Sequence, residues 1–229
     1  MSVKQGQIIV VNGTSGSGKS TTCEQFVQKQ DDFWLLYGID HYVAGTYPAK
    51  FGHHGPRSAE GIQAIPLDEN DPEGALRWRF GPLGKAGFAT FHDWAAAASR
   101  NGCNIIFDHL LMSEPPVIQD LAHRLDGLPA LLVTLKPPYE VLMKRVADRQ
   151  MTKKLPVEVL GEDAARKIVE RLDRLRDWFY GAVYENDITD LEIDTSVHGP
   201  EEVIAMIEAR LAKGPGTAFE RLRQKWPQP

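Results

Sequence analysis

The chain has 229 residues, which is enough for one sizeable α/β core, and no linker rich in proline, serine or glycine divides it. We therefore expect a single domain over residues 1–229. The net charge of −5 argues against a protein that coats nucleic acid, because such proteins carry a strong basic excess. The apolar runs are too short to span a membrane, and residues 1–7 lack the pattern of a signal peptide. We expect a cytoplasmic protein with small-molecule partners and no nucleic-acid or membrane partner.

Five apolar runs typical of buried strands alternate along the chain with longer segments of helical periodicity. The strands are predicted at Ile8–Val11, Phe33–Tyr37, Asn104–Phe107, Leu131–Leu135 and Leu191–Ile193. The helices are predicted at Lys19–Gln30, Gly87–Asn101, Pro115–Leu125, Tyr139–Arg149, Glu162–Val183 and Pro200–Ala212. This order predicts an α/β fold, a three-layer sandwich around a five-stranded parallel sheet, with ligands at the carboxyl ends of the strands.

One long segment, from His41 to Lys85, interrupts this alternation. It is rich in glycine, proline and histidine and has no sustained hydrophobic period, so we expect an irregular excursion there. Loops of this length in compact domains are usually functional or disordered. Because the segment follows the second strand, we interpret residues 41–85 as a substrate lid.

Residues Gly13–Ser20 read GTSGSGKS and follow the first predicted strand directly. The glycines allow successive backbone N–H groups to converge on phosphate oxygens, and the N-terminus of the next helix favours the same anion. The pattern predicts a P-loop, in which Lys19 reaches the β- and γ-phosphates and Ser20 contacts Mg²⁺. A flexible turn is the alternative. We expect ATP and Mg²⁺ as cofactors, and nucleotide binding by Gly13, Thr14, Ser15, Gly16, Ser17, Gly18, Lys19, Ser20 and Thr21.

Two aspartates follow predicted strands. Asp40 comes after the second strand, where a carboxylate can orient a substrate hydroxyl and accept its proton. Asp108 ends the third apolar run and resembles a Walker B residue that contacts Mg²⁺, although it can also hold the substrate or cap a turn. His41 and His109 follow the two carboxylates, and we expect each to be solvated or packed rather than catalytic.

A basic segment follows the fourth strand. Arg145 and Arg149 lie one helical turn apart on a shared face. Guanidinium groups hold phosphate oxygens through two-point contacts and offset charge in the transition state, so both arginines are predicted to act in catalysis as part of a mobile lid. The alternative is an exposed basic helix end.

With these motifs in place, the chain resembles the chloramphenicol phosphotransferase-like family of P-loop kinases. The resemblance is carried by Val11–Ser15 with Gly18–Ser20, by Tyr37–Asp40 and by Ile105–Asp108, and it extends in order from about Gln7 to Leu211. Glu192–Ser196 is similar to the family's final-strand region, near which related kinases hold adenine.

The resemblance implies a kinase-type P-loop fold and ATP-dependent O-phosphorylation of a hydroxylated small molecule, either an antibiotic or another metabolite, which suggests a role in antibiotic resistance or in metabolite modification. It makes Asp40 the general base. Compared with the family, residues 41–85 look longer than the usual substrate segment, and residues 214–229 look like a C-terminal extension.

Other acceptors fit the same P-loop and base. A nucleoside or nucleotide kinase shares this architecture, but acceptor phosphates would need a concentrated basic cluster. The five basic residues of 41–85 are balanced by five acidic residues in the segment and by Asp93 just after it, although Arg77 and Arg79 leave room for an anion. A nucleotide-sugar kinase would keep the same P-loop and base. A nucleotide-gated switch lacks its guanine-reading motif, since the fourth strand runs into Lys136–Pro138. The aromatic residues Trp78, Phe80, Phe88, Phe91 and Trp94 either line an apolar acceptor pocket or pack in the core.

Overall fold

The computed structural model describes residues 4–53, 55–152 and 162–228. Its strands are β1 (Ile8–Asn12), β2 (Trp34–Gly38), β3 (Ile62–Pro66), β4 (Leu76–Phe80), β5 (Asn104–His109), β6 (Ala130–Leu135) and β7 (Leu191–Ile193). Its helices are α1 (Lys19–Lys29), α2 (Ile39–Gly45), α3 (Pro82–Arg100), α4 (Val117–Arg124), α5 (Tyr139–Thr152), α6 (Glu162–Tyr184), α7 (Pro200–Leu211) and α8 (Ala218–Lys225). Short 3-10 turns occur at Ala49–Phe51 and Ser58–Glu60.

The central sheet has five parallel strands in the order β2-β5-β1-β6-β7. All side chains of β1 and β6 are buried, as expected for strands that are covered on both faces. Ile8 and Val10 of β1 pack in a core that includes residues of α3, α4 and α8, whereas Ile9 and Val11 pack against α1 and α7. The structure confirms the predicted three-layer α/β fold with a five-stranded parallel sheet.

The register of the strands brings three chain segments to one edge of the sheet. Asn12 at the end of β1 pairs with His109, and Gly38 at the end of β2 pairs with Asp108. Because all five strands run in the same direction, the loop after β1, the start of α2 and the end of β5 meet at the carboxyl edge.

The excursion is more regular than its sequence pattern predicts. It contains α2 and an antiparallel hairpin of β3 and β4, and α3 begins at Pro82 instead of Gly87. Each hairpin strand has only five residues. In β4 the buried side chains alternate with Arg77 and Arg79, and an alternating pattern of this length is too short to be recognised in the sequence. The prediction of an irregular segment is therefore wrong for α2, for the hairpin and for the start of α3.

The C-terminal extension contributes to the core. Phe219 and Leu222 of α8 are buried in the cluster that includes α4, and Trp226 packs against that cluster. The backbone N–H groups of Thr217 and Ala218 donate to Asp190 Oδ1 at 2.7 and 2.9 Å, which fixes the start of the helix. Across the described residues, no helix is long and apolar enough to cross a membrane.

Candidate active site

The loop between β1 and α1 has the backbone conformation that its glycines allow. Gly13, Gly16 and Gly18 have φ values of 156°, 83° and 95°, in the region that L side chains rarely adopt. A Cβ atom on Gly13 would also lie 2.5 Å from Ser17 Oγ and 2.8 Å from the carbonyl oxygen of Leu135. Glycine is therefore required here both for the turn and for the close approach of the chain.

Two side chains hold the loop through hydrogen bonds to its backbone. Lys19, which is 9% exposed, donates from Nζ to the carbonyl oxygen of Thr14 at 3.0 Å. The Tyr184 hydroxyl at the end of α6 donates to the Leu135 carbonyl at 2.7 Å and accepts from the Thr14 N–H at 3.2 Å. Burial raises the pKa of Tyr184, which keeps its hydroxyl protonated for this donation.

Arg145 connects α5 to the same loop. Its Nη1 donates to the Gly16 carbonyl at 3.2 Å and to Thr195 Oγ1 at 2.9 Å, and its Nη2 donates to the Thr195 carbonyl at 2.7 Å. Thr195 in turn donates from Oγ1 to the Ser17 carbonyl at 3.0 Å. The guanidinium group thus lies against the P-loop backbone and the segment after β7. Arg149 is in α5, but its side chain falls outside the described residues.

Asp108 lies between the P-loop helix and the start of α2. Its carboxylate is nearly buried, with Oδ2 accepting from Ser20 Oγ at 2.6 Å and Oδ1 accepting from the Ile39 N–H at 3.1 Å. Gly38 permits this approach, because a Cβ atom there would lie 2.2 Å from Asp108 Oδ1. A carboxylate and a hydroxyl at this spacing form the oxygen-donor set that Mg²⁺ prefers, so these two side chains fit the predicted metal.

Asp40 differs from Asp108 although both follow strand ends. It is the second residue of α2, its side chain is exposed, and its carboxylate has no hydrogen bond or ion pair within the described part of the chain. The pairing of Gly38 with Asp108 places the start of α2 at the carboxyl edge of the sheet, beside the P-loop. The carboxylate of Asp40 is therefore available at the edge where the sequence predicts a base.

The sequence interpretation missed three polar residues that support this edge. Asn12 accepts from the Leu111 N–H at 2.9 Å and donates to the Val183 carbonyl at 3.4 Å. Tyr184 holds Thr14, as described above. His92 of α3 is fully buried beside His109, and burial lowers the pKa of both imidazoles, so both are neutral. Only Asn12 carries a local signal, since it is a polar side chain at the end of an apolar strand.

Most of the candidate pocket aromatics belong to the core. Trp78, Phe80, Phe88 and Phe91 are all at least nine-tenths buried, and the ring of Trp78 lies 4.7 Å from that of Phe179 in α6. Trp94 is 45% exposed. The core-packing alternative therefore fits the first four residues.

Solved structures share this fold at low sequence identity. The chain is similar to the crystal structure of APE1195, with a TM-score of 0.55 and 14% identity, covering 93% of this chain and 98% of that one. It is also similar to the Mycobacterium tuberculosis APS kinase in complex with AMPPNP and APS (TM-score 0.52, 12% identity, covering 91% and 98%). An unliganded sugar kinase from Janibacter sp. has a TM-score of 0.50 and 16% identity, covering 91% and 95%. These likenesses show the P-loop kinase fold.

Sequence comparison gives a more specific result than the comparison of folds. None of the curated protein sequences has significant similarity to this chain. The model of the family described as chloramphenicol phosphotransferase-like protein matches residues 6–212, which is most of the chain and includes the P-loop, Asp40, Asp108 and Arg145. The match agrees with the P-loop kinase fold and with the resemblance drawn from the sequence motifs. The chain therefore belongs to the chloramphenicol phosphotransferase-like family and is a P-loop kinase.

Proposed function

We propose that this kinase transfers the γ-phosphoryl group of ATP to a hydroxyl group of a small molecule, with Asp40 as the general base. The observation that carries the proposal is the contrast between the two aspartates at the carboxyl edge. The carboxylate of Asp108 is occupied by Ser20 and the Ile39 N–H, whereas that of Asp40 is exposed and without a partner in the described part of the chain. A base must be free to accept a hydrogen bond from the acceptor hydroxyl.

The charges around the nucleotide follow from the same geometry. The P-loop N–H groups and Lys19 would hold the phosphates once Lys19 leaves the Thr14 carbonyl, and Arg145 is placed beside the loop to offset charge. Ser20 and Asp108 would hold Mg²⁺, which neutralises phosphate charge when it is bound. Asp40 would orient the acceptor hydroxyl, and take its proton as the oxygen attacks the γ-phosphorus and the bond to ADP breaks.

We propose a neutral acceptor, because two arginines of the excursion already have partners within the protein. Arg57 makes two hydrogen bonds to Glu60, at 2.7 and 2.6 Å, and Arg79 donates to Gln63. A hydroxylated antibiotic is one class that meets this description, in line with the name of the family. A phosphorylated acceptor that bound to these two arginines would have to displace these contacts.

We also propose that residues 41–85 cover the acceptor. This segment follows Asp40 directly and contains most of α2 and the hairpin of β3 and β4. The hairpin is fastened to α6, since Arg174 donates to the Gly74 carbonyl at 2.7 Å and to the Pro72 carbonyl at 2.5 Å, and Trp78 packs on Phe179. A cover of this kind would exclude water during transfer.

The experiment that tests the proposal is a substrate panel. The protein is incubated with Mg-ATP and hydroxylated antibiotics, nucleosides, nucleotides, nucleotide sugars or sugars, ADP release is measured, and each product is examined by mass spectrometry. We expect ADP release to depend on a neutral acceptor, whose mass increases by one phosphoryl group. Phosphorylation confined to acceptors that already carry phosphate would contradict the neutral-acceptor proposal. Tight ATP binding without transfer to any compound would contradict the kinase proposal for these acceptor classes.

A further inference from the structure

A chain of buried hydrogen bonds leads away from the carboxyl edge, beginning one residue after Asp108. His109 Nε2 lies 2.9 Å from His92 Nε2, and His92 Nδ1 lies 2.6 Å from Asp120 Oδ2. Both imidazoles are fully buried. These hydrogen bonds therefore connect the end of β5 with α3, which carries His92, and with α4, which carries Asp120.

The positions of the protons in this chain are fixed by one backbone group. The Leu110 N–H donates to His109 Nδ1 at 2.8 Å, so that nitrogen must be an acceptor. A neutral His109 then carries its proton on Nε2 and donates it to His92 Nε2. His92 in turn carries its proton on Nδ1 and donates it to Asp120. Each nitrogen has one partner of the right kind, and no second arrangement of protons on neutral rings satisfies all three hydrogen bonds.

Asp120, at one end of this series of hydrogen bonds, belongs to an ion-pair network, and His109, at the other end, lies against aromatic rings. Arg124 donates to Asp120 Oδ2 at 2.8 Å and to Asp93 Oδ2 at 2.6 Å. The ring of His109 lies 5.2 Å from that of Phe91 and 5.9 Å from that of Phe88. In this setting, a donor or acceptor that loses its partner stays unsatisfied.

We propose that His109, fixed by His92, is a positioning residue for Asp108 and so for the Mg-nucleotide. The acceptor Nδ1 fixes the Leu110 N–H and Asn12 fixes the Leu111 N–H, so the two residues after His109 are both anchored. Asp108 is thereby held from its C-terminal side, and its carboxylate stays between Ser20 and Ile39. The inference rests on the proposed role of Asp108, whereas a purely structural role for the histidines would affect stability alone.

Two substitutions of His109 separate these roles. In His109→Asn, the amide oxygen takes the place of Nδ1 and can still accept from Leu110, but the link to His92 is lost. In His109→Gln, the amide nitrogen takes the place of Nε2 and can still donate to His92, but the Leu110 N–H loses its acceptor. Both variants replace the imidazole with an amide, but each removes a different one of the two hydrogen bonds of His109.

The readout is ATP affinity, measured by calorimetry with Mg²⁺ and again with EDTA, together with the melting temperature. We expect His109→Gln, which frees the peptide after Asp108, to reduce the Mg²⁺-dependent gain in ATP affinity by about tenfold. His109→Asn, which loses only the support from His92, should reduce that gain by a smaller factor. Equal gains in both variants and in the wild type, with only the melting temperatures lowered, would overturn the inference. Because this measurement needs no acceptor, its result is independent of the substrate panel.

A second pair covers the case in which the His109 variants do not fold. His92→Gln keeps an oxygen that accepts from His109 Nε2–H, whereas His92→Asn keeps the donor to Asp120 but leaves His109 without an acceptor. We expect His92→Asn to lower the Mg²⁺-dependent gain in ATP affinity several-fold more than His92→Gln, because the His109 ring is then no longer held in the position where it accepts from the Leu110 N–H. Identical gains in the two His92 variants would overturn the proposal.

Discussion

The carboxylates of Asp108 and Asp40 lie at neighbouring strand ends and meet different surroundings. Asp108 is nearly buried and accepts two hydrogen bonds, from Ser20 and from the Ile39 N–H. Its oxygens are fixed, which suits a metal ligand, since a metal site needs donors that are held in place. Asp40 is exposed and its carboxylate can adopt the direction that an acceptor requires. At the scale of single residues, this difference supports separate roles for the two groups.

At the scale of single residues, one prediction concerns the contribution of Arg145 to ATP binding. Arg145→Lys keeps the positive charge but lacks the planar fork that reaches Gly16 and Thr195 together. We expect the Kd for ATP, measured by calorimetry, to rise about tenfold or more, because a hydrogen bond to a charged group contributes about 1.5–3 kcal/mol. Lys144→Gln is the control, since Lys144 is the exposed neighbour on α5. An unchanged Kd in Arg145→Lys would show that the P-loop does not depend on this fork.

At the scale of elements, the hairpin of β3 and β4 depends on α6. Among the strands of the described residues, β3 and β4 pair with each other and with no strand of the central sheet. A two-stranded hairpin is marginally stable alone, so its position must come from packing against helices. Trp78 on Phe179 and Phe80 on Phe88 supply that packing, with ring centroids 4.7 and 4.6 Å apart.

The contact between Arg174 and the hairpin end tests whether this segment covers the acceptor. Arg174→Gln removes the hydrogen bonds to Pro72 and Gly74, and we expect the KM for the acceptor to rise about fivefold to tenfold while the Kd for ATP stays unchanged. Steady-state kinetics with an acceptor identified by the panel provide the measurement. Arg176→Gln is the matched control, because Arg176 pairs with Asp173 in the same helix. If both variants keep the wild-type KM, the hairpin does not control acceptor binding.

Helix α8 provides a prediction of stability. Leu222 is fully buried among residues that include those of α4, although it lies beyond the residues that the family model matches. Leu222→Ala should lower the free energy of unfolding, measured with urea, by about 2–5 kcal/mol through loss of burial and creation of a cavity. Leu83→Ala is the control, since Leu83 is 43% exposed, and its effect should stay within about 0.5 kcal/mol. A loss below about 1 kcal/mol in Leu222→Ala would mean that α8 is dispensable to the core.

For the whole molecule, the features that sequence predicts well are local ones. The apolar runs around Ile8–Val11 and Leu131–Leu135 predict buried parallel strands because both faces of each strand are covered. The P-loop is likewise contained in eight consecutive residues, Gly13–Ser20, whose glycines already determine the loop conformation. The alternation of these strands with helices then leads to the sheet that the structure shows.

The rest depends on residues that are distant in the sequence. His92 is 17 residues from His109 and 28 from Asp120, and its place on the apolar face of α3 is typical of any core position. Tyr184 reaches Thr14 across 170 residues. Such hydrogen bonds follow from the folded arrangement of helices, and no spacing in a single sequence indicates them. The same reason explains why the packing of α8 could not be predicted.

The measurement that tests the central claim most directly compares the wild type with Asp40→Asn. Transfer of labelled γ-phosphate from ATP to the acceptor is followed at saturating ATP, and ATP binding is measured in parallel. Because the amide of this variant cannot take the proton of the hydroxyl, we predict that kcat falls by about 10²-fold or more while the Kd for ATP is unchanged. Asp32→Asn, at an exposed aspartate before β2, should behave like the wild type. Turnover near the wild-type rate in Asp40→Asn would contradict the account.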